Sequence, residues 1–124
     1  MADAPQQSAR GDMAAEISRR SVQILREYTG RGPTKARTTI DEHLVSVVLA
    51  DTLLKGEQHL VAAGEEKTVL DTRQKFQKAM REDLVGTVEE VTGRRVAAFV
   101  SGNHIDPDLA VETFVLEPQE AAAQ

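Results

Sequence analysis

The sequence predicts an α+β fold: a four-stranded antiparallel sheet made of two β-hairpins and packed with about three helices, in the order α-β-β-α-α-β-β. Three observations predict it. Apolar residues recur at helical spacing in two long segments, around 17–28 and 69–91. Runs of strand length, rich in β-branched residues, stand at 36–49 and 95–116. Within each pair of runs the link is short and polar, which makes the paired strands antiparallel.

The elements follow in order. Residues 1–11 hold nothing apolar to bury and read as a disordered tail. Asp12 is placed to cap the first helix, with Glu16 at a capping-box distance. Ile17, Ser21, Ile24, Leu25 and Tyr28 share one face of that helix, which Gly30 and Gly32-Pro33 stop. Ala36–Ile40 and Leu44–Leu49 form the first hairpin about Asp41, Glu42 and His43. Asp51 or Thr52 caps a short helix ended by Gly64, with Leu53, Leu54, Leu60 and Val61 as its apolar side. A longer helix, Glu65–Val91, buries Val69, Phe76, Met80, Leu84, Val88 and Val91 and stops at Thr92-Gly93. Gly86 within it costs up to about 1 kcal/mol relative to Ala and suggests close packing there. Arg95–Ser101 and Leu109–Leu116 form the second hairpin, around a link dense in turn formers. The folded unit spans 12–118 as one domain, and 119–124 read as a second disordered tail.

The strands carry apolar residues on both faces. Val45, Val47 and Leu49 oppose Leu44 and Val48, and Val111 and Val115 oppose Phe114 and Leu116. The second face is therefore expected to be covered, by further helices or by a second subunit in a homodimer.

Composition excludes several classes of function. The chain lacks cysteine, so disulfides, thiolate zinc sites and cysteine nucleophiles are out, and a reducing cytoplasm is expected. No apolar run approaches the roughly 20 residues needed to cross a bilayer, so any membrane association is peripheral or runs through a partner. The net charge of −5 divides unevenly. Residues 1–37 carry seven Lys/Arg against four Asp/Glu, and the remainder carries eight against sixteen. That acidity disfavours nucleic acid as a partner but leaves room for a local anion site.

Four clusters bear on chemistry. The first is the glycine-rich basic loop, in which Arg31, Lys35 and Arg37 offer positive charge to a phosphate, carboxylate or bicarbonate. Its spacing is not that of a P-loop, and it follows a helix C-terminus, whose dipole repels anions. A plain helix stop with solvated cations explains the same residues. The second is Asn103, His104, Asp106 and Asp108, which place an imidazole and carboxylates within six residues and invite either a metal, a partner or ordinary turn chemistry. The third, Asp41, Glu42 and His43, is a hairpin tip, where solvation disfavours a catalytic base. The fourth is Arg94-Arg95, of which Arg95 adds to the basic loop if the third strand lies beside the first. His59 reads as a surface residue, and Ser46 and Ser101 have no base in sequence to activate them. No cofactor is indicated.

The segments GRGPTKART, LVSVVLADTLLKGEQHLVAAG and MREDLVGTVEEVTGRRVAAFVSGNHIDPDLAVETFVLEP resemble the MpsC family, named for a sodium-translocating, membrane-potential-generating system. The most specific pieces are Gly30–Ala36, Thr92–Val96 and the His-Ile-Asp-Pro-Asp turn, and the resemblance covers about 13–118. It implies a bacterial cytoplasmic protein associated with ion transport or inorganic-carbon supply, whose membrane subunits are other chains. It implies no catalytic residues. The function expected is that of a non-enzymatic accessory or regulatory subunit. A small-anion or nucleotide-binding module using the basic loop and a metal-dependent enzyme at the His-Ile-Asp-Pro-Asp turn are the alternatives.

Overall fold

A computed structural model describes residues 3–119, with side chains from residue 8 onward. The tail residues 1–2 and 120–124 lie outside the described residues. The elements are α1 (Asp3–Thr29), β1 (Lys35–Ile40), β2 (Leu44–Ala50), α2 (Lys55–Ala62), α3 (Glu66–Thr92), β3 (Val96–His104) and β4 (Leu109–Leu116). The fold is α+β with the predicted element order.

The two hairpins fuse through β2 and β4, giving one antiparallel sheet in the order β1-β2-β4-β3. Register places Val45 opposite Phe114 and Leu49 opposite Ala110 across the seam. Side chains alternate across a pleated strand, so this register sends Val45, Val47, Leu49, Ala110, Glu112, Phe114 and Leu116 to one face. There they meet Ile17, Ile24 and Leu25 of α1 and Met80, Leu84 and Val88 of α3. Phe114, fully buried, stacks tilted against Phe99 with ring centroids 5.0 Å apart.

Several local expectations are corrected. The first helix begins at Asp3, so it runs through the segment read as a tail, and Asp12 is an exposed interior residue rather than a cap. Glu16 turns to Arg19 at 2.7 Å, a one-turn ion pair, instead of closing a capping box. Tyr28 is exposed, and its hydroxyl donates to Asp83 at 2.8 Å. The short helix starts at Lys55, beyond both proposed caps, because Glu57 reaches back to accept the Leu54 N–H at 2.8 Å. Strand β3 extends to His104, three residues past the expected end, so Asn103 and His104 belong to the strand and not to the link. A Cβ on Gly86 would meet nothing within 4 Å, so close packing is not its role.

The helix stops behave as read. Gly30 and Gly93 both take positive φ, and each donates its N–H to the carbonyl four residues back, at 2.9 and 2.8 Å.

Candidate functional site: a buried polar cluster behind an open sheet face

The apolar stripe of α3 is interrupted by Arg73 and Gln77, both buried, at the same four-residue spacing as Val69. Across from them Glu112 occupies an inward position of β4 between Ala110 and Phe114, and only 1% of it is exposed. These three side chains organise a polar cluster inside the helix–sheet interface.

Arg73 is its centre. Its Nη2 donates to Glu57 at 2.9 Å and its Nε to the other Glu57 oxygen at 3.3 Å. Its Nη1 donates to Thr52 Oγ1 at 2.6 Å and lies 3.4 Å from Asn103 Oδ1. Thr52 in turn donates to Asp108 at 3.0 Å, and the second oxygen of Asp108 accepts the Leu53 N–H at 2.8 Å. Gln77 exchanges hydrogen bonds with Asn103 and donates to Glu112 at 3.2 Å, while the Ser101 hydroxyl donates to the other Glu112 oxygen. Among the described residues no buried side-chain polar atom lacks a partner. A cavity of about 30 Å³ adjoins the cluster between Leu25, Thr29, Phe76 and Met80. That is room for one or two waters, not for a metabolite.

Burial pushes the Glu112 carboxyl up to about 7; the hydrogen bonds from Ser101 and Gln77 and the charge of Arg73 pull the other way without prevailing.

The residues singled out in the sequence are divided by the fold. Asn103 and Asp108 join the buried cluster. His104 and Asp106 are exposed, and His104 Nδ1 sits 2.9 Å from the Pro107 carbonyl, satisfied within its own turn. The four side chains therefore do not converge, and among the described residues no group of three or more His, Asp or Glu is arranged to hold a metal. Arg31 reaches across to donate to the Leu53 carbonyl at 2.6 Å, tying the basic loop to the segment before α2. Lys35 and Arg37 are exposed on β1. Arg95 does not join them: β2 and β4 separate its strand from β1. It also precedes β3 at the end of the sheet where Val96 pairs with Leu116, opposite the end that Lys35 occupies. Arg94 clasps the carbonyls of Glu42 and Glu117, fastening the first hairpin to the end of β4.

Thr52, Glu57, Arg73, Gln77 and Glu112 were not among the sequence candidates. For Arg73, Gln77 and Glu112 a signal was present, a charged or amide side chain at a position whose period demands an apolar one; Thr52 and Glu57 carried none.

All the helix contacts to the sheet fall on the face just described. The other face is formed by Lys35, Arg37 and Thr39 of β1, Leu44, Ser46, Val48 and Ala50 of β2, and the outward residues of β4 and β3, among them Val111, Val115, Val100 and His104. No described element covers it. Three of the five most exposed large apolar side chains, Leu44, Val100 and Val115, lie on it. The strand residues pointing that way include two cations and no Asp or Glu, in a chain with twenty acidic residues against fifteen basic ones.

No helix is long and apolar enough to cross a membrane among the described residues. No curated protein and no solved structure matches the chain. The family described as the Na+-translocating membrane potential-generating system, MpsC, matches residues 9–118. On that match over nearly its whole length, the chain belongs to the MpsC family.

Proposed function

We propose that this chain is a non-enzymatic accessory or regulatory subunit that acts by docking its open sheet face on a partner of a cation-translocating membrane system. One observation carries the reading: a sheet face that shows Leu44, Val48, Val100, Val111 and Val115, holds no Asp or Glu and is edged by Lys35 and Arg37, while the helices pack on the opposite face. Antiparallel sheets tolerate water on one face when that face is polar; Val48, Val111, Val100, Val115 and Leu44 are not polar. The family supplies the context, since its name refers to a membrane system and no helix among the described residues is long and apolar enough to cross a bilayer.

Charge selects among occupants. The surface complementary to this face is apolar, with acidic side chains opposite β1. A second copy brings further cations and no carboxylate to the contact, so the homodimer expected from the sequence is the weaker match. The buried cluster has every polar atom satisfied and no room for a substrate, which favours binding over catalysis.

The test is co-isolation from native membranes at native expression with three chains: wild type, Val100→Asp/Val115→Asp, and Lys35→Glu/Arg37→Glu. Recovery of an integral-membrane component by wild type and its loss in both variants is expected. Equal recovery by all three contradicts the reading. Sedimentation of the wild type alone, giving a dimer that Val100→Asp/Val115→Asp dissociates, assigns the face to a second copy instead.

A further inference from the structure

We propose that Glu112 is a proton-binding site of this fold, and that loss of its proton loosens the corner where α2 and the 105–108 turn are fastened to the sheet. The buried cluster is unbalanced in charge. The cluster contains one guanidinium, Arg73 of α3, and three carboxyls: Glu57 of α2, Asp108 of the turn and Glu112 of β4. The groups that face Glu112 from β3 and α3, Ser101, Asn103 and Gln77, are neutral, and α1 contributes only Leu25 and Thr29 to the adjoining cavity. With Glu112 protonated the cluster carries one excess negative charge; with Glu112 ionised it carries two, the second on a side chain only 1% exposed. Arg73 makes no hydrogen bond to Glu112, its bonds going to Glu57, Thr52 and Asn103, so its charge offsets the cost of ionising Glu112 only in part.

The hydrogen bonding suits a group that titrates in place. A serine hydroxyl either donates or accepts. Ser101 donates to the carboxylate and can accept from the carboxylic acid, so neither protonation state leaves it orphaned. Gln77 donates to the other oxygen in both states. The cavity beside them admits water to carry the proton.

The direction of linkage is the reverse of the usual carboxylate case. The ordinary value is 4.5 and burial raises it to about 7 in the folded chain. The stabilisation is complete below pH 4.5, where both states are protonated, and is lost as pH rises through about 7. The added charge reaches that corner through Arg73, whose charge acts on Glu112 and whose hydrogen bonds hold Glu57 of α2 and Thr52, the donor to Asp108 of the turn; Glu112, Arg73, Thr52 and Glu57 line the same small cavity.

The experiment compares wild type with Glu112→Gln, which keeps the shape of the protonated acid. Carbon-detected NMR of the full chain follows the glutamate carboxyls from pH 4 to 8.5, and urea unfolding is measured over the same range. One carboxyl is expected to titrate close to neutrality in wild type and to be missing in Glu112→Gln. The unfolding constant of wild type should rise by up to tenfold per pH unit between about pH 5 and 7, roughly a hundredfold in all, relative to Glu112→Gln. Amide exchange at Leu53, Leu54 and Gln58, corrected for intrinsic rates, should accelerate with pH in wild type alone. A Glu112 carboxyl that titrates near 4.5, or parallel pH profiles for the two chains, overturns the proposal. If Glu112→Gln does not fold, the wild-type carboxyl titration decides it.

Discussion

Arg73 on α3 holds Glu57 on α2 at 2.9 Å, with only 11% and 12% of the two side chains exposed. The pair matters because α2 buries no residue of its own. An eight-residue helix is too short to persist on propensity alone, and this one is anchored through Glu57, which also closes its first turn.

Arg73→Ala is therefore expected to destabilise the chain by about 3 kcal/mol, the usual cost of leaving a buried charge without its partner. Urea unfolding measures the loss. Amide exchange should show α2 opening first. Arg73→Met with Glu57→Leu, which removes both charges, should recover most of the stability.

Asp108 accepts two hydrogen bonds that fasten the second hairpin turn to the segment before α2. Asp108→Ala should cost about 1–3 kcal/mol by orphaning the Leu53 N–H and the Thr52 hydroxyl. The loss should be the same with divalent metal ions and with chelator. A metal-dependent loss would restore the ligand reading of this turn.

Gly86 sits within α3 with open space where a Cβ would go. Gly86→Ala should stabilise by up to about 1 kcal/mol, through helix propensity and a less disordered unfolded chain. Thermal unfolding of the pair of chains checks it, and destabilisation would mean that this turn of α3 needs the bare backbone.

The basic residues should separate by role. Arg31→Ala should cost about 1 kcal/mol, since it loses its bond to the Leu53 carbonyl. Lys35→Ala and Arg95→Ala, both exposed, should change stability by less than about 0.5 kcal/mol. Calorimetry with phosphate and bicarbonate tests the anion reading. Any binding should survive Arg95→Ala, because that residue lies across the sheet from the loop.

Most of the fold was legible because the strands announce themselves twice, by β-branched runs and by the polar links between them. Leu109–Leu116 is bounded as the sequence suggests, and Gly30 and Gly93 stop their helices as expected. The start of α1 was not legible: the sequence from 3 to 11 has no large apolar residue at helical spacing for pattern to reveal. The short helix was mis-capped because its cap is made from within, by Glu57, a residue whose usual reading is solvated surface. The cluster was missed for a related reason. Arg73 and Glu112 lie on the apolar period of their elements, and only the fold shows that they are inside and facing a shared set of partners. The open sheet face was half legible. The two-sided strands called for cover on the second face, by helices or by a second subunit, and the packing shows that the helices all take the same side.

The most direct test of the docking reading places a photo-reactive residue at Val100, midway along the edge strand β3 on the open face, and in a second chain at Lys75, on the exposed side of α3. Irradiation in native membranes should give an adduct between the Val100 chain and an integral-membrane protein, and none from the Lys75 chain. Adducts at Lys75 but not at Val100, or none at either, would contradict the account.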